Sequence, residues 1–565
     1  MQKIQISHFR RHWRAHCFVA HRFCGLAIPH SEGLALHPSS TRQKRNICNF
    51  CISNLFALLA GALLAASLAW PTSVPQALAP LGLVQGQPLW WGACLAMTVL
   101  AGLLDSSQSW RTAALRGWLF ATAWLACTFG WLFTSMHTYG GLSAPLALLA
   151  VIILAGFLAI YYAFFCGLYK ALAPVNQALS ALCFVATWLL AELARGVLLS
   201  GFGWGSVGYT QLDGPLAGWL AWLGVYGCGA FVASLAALLA LAWRTSNGRR
   251  AAGLALGSLA LLLSGTLLPQ LQGASAGLLN VTLLQGNIAQ EEKFEASSGV
   301  PKALRWYGEQ LQASRSALII TPETALALLP EQLPDGYWQA LQQRFATGEQ
   351  AALVGIPLGS YTEGYTNSVV GLKPGQAAPW RYDKHHLVPF GEFIPPFFRW
   401  FTNLMHIPLG DFSRGALPQP SFEWQGQRLA ATICYENLFT EELATQFADA
   451  ALAPTILFNI SNMGWFGESL AMNQHLQIAR MRALEFGRPF LLATNTGQTA
   501  IVNYQGKVTH LAQAHVATAL HGVVEGRTGF TPYAGWVSQF GLWPLWLFGL
   551  GVLGALHWTR KHRSL

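Results

Sequence analysis

The sequence predicts a membrane-embedded helical bundle that carries one α/β domain. Three observations predict it. Charged residues make up only 10% of the 565 residues while 53% are hydrophobic. Apolar runs of bilayer length fill the first half and return once near the end. The stretch between them changes to short β-like runs alternating with helical ones. A soluble domain carries roughly 25% charged residues, so much of this chain sits where charge is unwelcome. The net charge of +10 is spread over short loops and the two tails. That suits membrane topology and not a nucleic-acid surface, which needs a dense basic stripe.

Residues 1–50 are basic, with one acidic residue, Glu32. They read as an N-terminal extension, disordered or upstream of the native start. Cys48-x-x-Cys51 with Cys17, Cys24 and nearby His has zinc-like spacing, but a disordered tail is the simpler reading. A cleaved signal peptide is not expected, because the first apolar run is too long and lacks a small-residue cleavage site.

A helix needs about 20 apolar residues to cross a bilayer. Seven such stretches precede residue 272, at 52–70, 88–104, 115–135, 145–169, 176–196, 215–243 and 251–271, and an eighth covers 540–558. Their loops alternate in charge. Arg42, Lys44 and Arg45, then Arg111, Lys170, the trio Arg244, Arg249 and Arg250, and finally Arg560, Lys561 and Arg563 mark one side. Loops 71–87, 136–144 and 197–214 hold no Lys or Arg. Lys and Arg stay in the cytoplasm, which places both termini there and the segment between the seventh and eighth helices outside. The expected organisation is therefore 51–271 as a seven-helix membrane domain, 272–539 as the outer catalytic domain, and 540–565 as an eighth helix with its cytoplasmic tail.

Within 272–539, β-like runs occur at 281–288, 317–323, 351–358, 429–436, 455–461 and 490–496, with helical candidates at 334–346 and 469–486. Alternation of this kind predicts one α/β domain with its sheet buried between helix layers. Three motifs place a reactive side chain at the end of such a run: TPET at 321–324, YDKHHLVPFGEF at 382–393 and ICYEN at 433–437. Cys434 is the domain's one cysteine, so a disulfide scaffold is excluded there. A thiol is only a few per cent thiolate at neutral pH, and a carboxylate within reach can take its proton. Attack on an ester carbonyl then builds an oxyanion, which a fixed ammonium stabilises. The roles that follow are nucleophile for Cys434, general base and later acid for Glu323, and electrostatic stabiliser for Lys384. Glu392 and Glu436 are further carboxylates, close in sequence to Lys384 and to Cys434, and either could orient the lysine through a charge-assisted hydrogen bond.

Beyond the triad motifs, the chain carries GFGWGSVGYTQLDGP at 201–215, LLQGNIAQ at 283–290, FSRG at 412–415, NISNMGWFGES at 459–469, QHLQIARMRALEFGRPFLLATNTG at 474–497 and GFTPYA at 529–534. In these motifs, from about residue 52 onward, it resembles the apolipoprotein N-acyltransferases, membrane members of the nitrilase superfamily. The resemblance implies eight transmembrane helices with an extracytoplasmic α/β nitrilase-like domain, an α-β-β-α sandwich. It places the triad on Glu323, Lys384 and Cys434, and further essential positions on Glu392, Tyr435 and Glu436. It implies transfer of an acyl chain from a phospholipid such as phosphatidylethanolamine, through a Cys434 thioester, to the α-amino group of a diacylglyceryl-cysteine apolipoprotein. It implies ping-pong kinetics, no cofactor and no metal, and a place in the bacterial inner membrane with the catalytic domain in the periplasm. Two positions depart from the family's pattern: Thr321 and Phe294 stand where it often has Trp. Both concern the walls of the acyl pocket and leave the reactive groups in place.

After the lysine motif, residues 395–409 form an apolar cluster around Phe397, Phe398 and Trp400. On a domain tethered to a bilayer, this segment is expected to dip into the interface and admit a lipid tail; Trp465 is assigned with it to lipid contact. Glu192 and Arg195 lie three apart within the fifth apolar stretch and read as a self-satisfying pair in preference to a headgroup site. Two other functions fit parts of the sequence. A membrane-tethered nitrilase or amidase cleaving a small amide would use the same triad but leaves the eight helices unexplained. A transporter would leave the α/β domain without a task.

Overall fold

In a bilayer each apolar run must satisfy its own backbone N–H and C=O groups, and for a single run that means a helix. The computed structural model describes residues 38–269, 271, 273–360, 362, 364–376, 378–394 and 412–563. Each of the eight apolar stretches contains a helix. Before the α/β domain come α1 (Pro38–Leu68), α2 (Trp90–Asp105), α3 (Trp110–Thr128), α4 (Ala144–Leu172), α5 (Gln177–Val197), α6 (Leu220–Arg244) and α7 (Gly248–Ser264). Side-chain oxygens of Ser109, Asn176 and Asn247 accept from the first free N–H groups of α3, α5 and α7 and so fix where those helices begin.

Among the described residues, five helices are long and apolar enough to cross a membrane: Cys48–Leu68, Ala144–Leu172, Gln177–Ser200, Ala217–Arg244 and Gly248–Leu267. Seven pass if each of two bent pairs is one span. The 115–135 stretch is one of these: α3 ends at Thr128 and the chain turns by 64° into Leu132–Tyr139. Helix α2 has 16 residues, about 24 Å at 1.5 Å per residue. Ile153, Phe164 and Leu256 are more than half exposed on α4 and α7, as side chains that face lipid would be. The first helix begins earlier than expected, so residues 38–50 of the anticipated disordered extension are helical. Cys17 and Cys24 of the zinc reading lie outside the described residues, as do Phe397, Phe398 and Trp400. Among the described residues no group of three or more His, Cys, Asp or Glu could hold a metal ion.

The chain divides into two compact units, 1–53 and 54–565, and the second contains the α/β domain. Its strands are β1 (Ser275–Gln285), β2 (Leu318–Ile320), β3 (Ala351–Ser360), β4 (Gly364–Leu372), β5 (Trp380–Asp383), β6 (Phe422–Trp424), β7 (Gln427–Ile433), β8 (Ile456–Ser461), β9 (Phe490–Thr494), β10 (Ala500–Val502), β11 (Val508–Leu511) and β12 (Thr518–Arg527). They form two six-stranded sheets, in the orders β12-β1-β2-β3-β4-β5 and β11-β10-β9-β8-β7-β6. Each has a parallel centre, β1-β2-β3 in one and β7-β8-β9 in the other. The strand pattern alone led us to expect a sheet buried between helix layers, while the α-β-β-α sandwich that the resemblance implies has two sheets. Two are present because every central strand is apolar on both faces: one face of each sheet meets the other sheet and the opposite face meets helices.

Val281, Leu283, Ile320 and Leu353 pack with Ile433, Phe458, Ile460 and Leu491 between the sheets. Outside the first sheet lie α8 (Gly299–Ala313) and α9 (Tyr337–Ala346), whose apolar faces cover Leu284, Ile319 and Val354. Outside the second lies α10 (Ala471–Phe486), which is covered on two sides. Its Gln477 donates to Gly86 O at 2.7 Å, and its Glu485 accepts from Val225 N at 2.7 Å, at the point where α6 breaks at Gly224. Gln474, Gln477, Arg482 and Glu485 of α10 are thus buried between sheet and bundle. Finally α11 (Pro532–Phe540) turns by 83° into α12 (Trp543–Arg563).

Candidate active site

A parallel strand displays its last residues at the carboxyl edge of the sheet, where the backbone is fixed and the side chain leaves the core. Glu323 follows β2, Lys384 follows β5 and Cys434 follows β7. The first two belong to one sheet and the cysteine to the other, so packing the two sheets face to face brings the three motifs together.

Around Glu323 the backbone is tightly held. Thr321 N donates to Leu353 O at 2.9 Å, and Thr321 Oγ1 accepts from Gly355 N at 2.9 Å. A Cβ on Gly355 would lie 2.1 Å from Pro322 O, so β3 approaches this turn as closely as glycine allows. Thr324 takes a positive φ of 45°. The carboxylate is 7% exposed by residue. Its Oε1 accepts from Asn367 Nδ2 at 2.7 Å and lies 3.3 Å from Lys384 Nζ, and its Oε2 accepts from Asn462 N at 2.9 Å. Burial alone would raise this carboxyl, but the Lys384 and Lys293 ammoniums and these donors outweigh it, and the group is held below its ordinary value.

Lys384 is 1% exposed. Its Nζ also lies 2.9 Å from Glu392 Oε1. Burial disfavours the ammonium, yet the Glu392 and Glu323 carboxylates prevail and hold it above its usual range. Of the two carboxylates considered for orienting this lysine, Glu392 makes the bond. Glu436 turns elsewhere: it accepts from His385 N at 2.6 Å, His386 N at 3.1 Å, Ile433 N at 2.7 Å and Tyr382 OH at 3.0 Å. It ties the lysine strand to the cysteine strand without touching Lys384 itself.

Cys434 begins a short turn of helix, Cys434–Leu438, in a left-handed conformation with φ of 52°. A non-glycine residue held there costs of order 1–3 kcal/mol and persists only when its surroundings over-determine it. Here Asn459 Nδ2 donates to Cys434 O at 3.1 Å, and Ser461 Oγ holds Asn459 Oδ1 at 2.7 Å. Burial and the Glu323 charge push the thiol up to about 12, against a smaller pull from Lys384. At neutral pH the sulfur is therefore protonated and needs a base. The ionised carboxylate beside it can be that base.

Sequence reasoning missed Lys293, which is 3% exposed and donates from Nζ to Glu323 O at 2.9 Å. Burial lowers it to about 8, with the Glu323 and Cys434 charges opposing. It also missed Asn367, Asn462 and Tyr382, neutral side chains or backbone donors that nothing in a strand-end motif marks. Tyr435 lies beside the nucleophile, its OH donating to Gly201 O at 3.0 Å. Trp465 is 39% exposed, its carbonyl accepting from Ser135 Oγ at 2.7 Å and its ring edge-on to Tyr139 at 6.0 Å.

Comparison with known proteins matches two domains. Residues 60–238 match the apolipoprotein N-acyltransferase N-terminal domain, and residues 280–520 match the carbon-nitrogen hydrolase domain. The chain is 53% identical to an apolipoprotein N-acyltransferase of Verminephrobacter eiseniae, over 86% of this chain and 93% of that protein. It is 40% identical to those of Bordetella bronchiseptica, over 83% and 92%, and Ralstonia nicotianae, over 79% and 85%. The likeness takes in the helices as well as the outer domain, which the small-amide reading does not explain.

Proposed function

The chain belongs to the apolipoprotein N-acyltransferase family, and from that premise we propose how its residues perform acyl transfer. The donor is a phospholipid of the phosphatidylethanolamine kind and the acceptor the amino terminus of a diacylated apolipoprotein. Glu323 takes the Cys434 thiol proton as the sulfur attacks the ester carbonyl carbon. The oxyanion that forms faces the Lys384 ammonium, held in place by Glu392. Collapse breaks the ester C–O bond, and Glu323 returns the proton to the departing lysophospholipid oxygen. The acceptor amine then attacks the thioester, Glu323 takes its proton, and the proton passes to the sulfur as the C–S bond breaks. One ester and one amine become one alcohol and one amide. No cofactor or metal takes part in these steps.

The observation that carries this reading is the convergence of a depressed carboxylate, an elevated ammonium and a protonated thiol from two different sheets. Eight spans, with the catalytic domain in the periplasm and both termini in the cytoplasm, follow from the alternation of loop charge. The proposed boundaries are 51–271 for the seven-helix domain, 272–539 for the catalytic domain and 540–565 for the last helix and tail. Tyr435 and Glu436 act as supports, and Trp465 as a lipid contact beside the Leu132–Tyr139 segment. The deciding experiment supplies labelled phosphatidylethanolamine and a diacylated lipopeptide to Cys434→Ser. We expect no thioester and a loss of transfer of at least about 10⁴-fold; normal transfer would refute the mechanism.

A further inference from the structure

Arg195 sits at the end of α5, fully buried, and four of its five N–H groups are hydrogen-bonded. Nε donates to Tyr162 OH at 2.9 Å, Nη1 to the carbonyls of Phe202 and Trp204, and Nη2 to Ser206 Oγ at 3.1 Å, with Glu192 Oε1 3.8 Å away. The fifth N–H group faces the Glu192 carboxylate, and with no exposed surface the guanidinium offers no face to a lipid phosphate. Phe202 N in turn donates to Arg195 O at 2.7 Å, and Val207 N to Glu192 Oε1 at 3.2 Å. Three of the guanidinium's four hydrogen bonds therefore go to the loop 201–206, and the fourth to Tyr162 on α4.

That loop cannot hold its shape unaided. Leu199, Ser200, Gly201 and Gly205 all have positive φ. A Cβ on Gly201 would lie 2.1 Å from Gly196 O. Its far side meets the catalytic domain twice. Gly201 O accepts from Tyr435 OH, and the Phe202 ring stacks on Tyr435 at 6.0 Å. Trp204 Nε1 donates to Gln474 Oε1 at 2.7 Å, and its ring stacks on His475 at 6.3 Å. His475 Nε2 lies 3.3 Å from Ser461 Oγ, which holds Asn459, which holds the Cys434 carbonyl. Two chains of contact thus run from one buried guanidinium to the strained nucleophile, one on each side of it.

We propose that Arg195 is a positioning residue for acyl transfer. Through loop 201–206 it sets Tyr435 and the Cys434 backbone, so the membrane helices are part of the catalytic apparatus as well as its anchor. This rests on the acyl-transfer reading above. Spatial intermediacy alone does not establish coupling, and a double-mutant cycle measures it.

The full-length chain in phosphatidylethanolamine vesicles is assayed for the single-turnover rate of thioester formation on Cys434, using Arg195→Lys, Tyr435→Phe and the pair. Lysine keeps the charge but cannot span two carbonyls and a hydroxyl. Each single variant is expected to slow acylation about 10-fold or more, with the phospholipid concentration at half-maximal rate unchanged. The pair is expected to be within about 2-fold of the slower single. Effects that multiply, or an Arg195→Lys rate equal to wild type, overturn the proposal. So does a change confined to the half-saturating concentration, which would make Arg195 a headgroup contact. Should Arg195→Lys fail to accumulate, Ser206→Ala replaces it in the same cycle, with the same reading of the outcomes at about 3-fold. A wild-type chain that forms no thioester would instead refute the acyl-transfer reading itself.

Discussion

Two of the clusters of charge buried among the described residues are wired in opposite ways. In the bundle, Arg195 directs its donors at two backbone carbonyls and two hydroxyls, and Glu192 accepts from a backbone N–H. In the outer domain, the Lys384 ammonium lies between the Glu323 and Glu392 carboxylates, and the Glu323 and Lys384 charges act on the Cys434 thiol. A charge bonded to backbone fixes a conformation. Charges facing one another with a protonated sulfur among them can move a proton. Burial raises the stakes for both clusters, because an unpaired charge in a low-dielectric interior is costly, but only the second has chemistry open to it.

The sharpest way to break this contrast is Glu323→Gln. As the base, its loss should slow thioester formation by about 10²–10⁴-fold. The Glu323 charge also pushes the Cys434 thiol up, so removing it lowers the thiol, and alkylation by iodoacetamide near pH 9 should become faster than in wild type. Opposite movement of the two rates separates a base from a brace. If both rates fall together, Glu323 is scaffold and the two clusters are alike.

Lys293→Met is expected to act next most strongly. Its ammonium holds the Glu323 carbonyl and helps keep the Glu323 carboxyl low. A hydrogen bond from a charged donor is worth about 1.5–3 kcal/mol, or roughly 10–100-fold in rate. The pH profile gives the second readout. Glu323 is competent only when ionised, so without Lys293 its value rises and the acid limb of the acylation profile moves to higher pH. A loss of rate with an unmoved acid limb would make Lys293 a purely structural tie.

How legible the two clusters were in the sequence follows from the same contrast. Glu323, Lys384 and Cys434 announce themselves because reactive side chains at the ends of apolar runs are locally improbable, and long motifs reinforce them. That each of the eight apolar runs contains a helix was legible from length and composition. The breaks in α6 and after α3 were not, since tertiary contacts set them: Val225 N finds Glu485 across the interface with α10. A run buried on both faces looks the same whether a helix or a second sheet covers it, so the strand pattern alone did not show two sheets; the α-β-β-α sandwich implied by the longer motifs did. Glu192 and Arg195 were visible as a pair at i and i+3. Their partners were not, because the carbonyls of Phe202 and Trp204 carry no signature in side-chain identity. Lys293 looked like one more charge in a polar loop.

Gly201→Ala tests the bundle side. With φ of 70° and a Cβ 2.1 Å from Gly196 O, alanine forces the loop to move, at a cost of about 1–3 kcal/mol. Thermal unfolding should show it, and acylation should fall alongside stability, whereas Glu323→Gln should spare stability. An unchanged melting temperature would mean that the loop is looser than its bonds to Arg195 imply.

The finest test lies inside the active site. Glu436 is a carboxylate two residues from Cys434, yet three of its four donors are backbone N–H groups and the fourth is Tyr382 OH. By its wiring it belongs with Arg195, despite its address. Tyr382→Phe removes the phenol and leaves the three backbone bonds. A neutral hydrogen bond is worth about 0.5–1.5 kcal/mol, and rather more to a charged acceptor, so unfolding should move by roughly 1–2 kcal/mol. Acylation should stay within about 3-fold, and its acid limb should not shift, because the Glu323–Lys384 pair is untouched. A loss of activity much larger than the loss of stability would place Glu436 among the reacting charges, and what a buried charge is bonded to would no longer predict what it does.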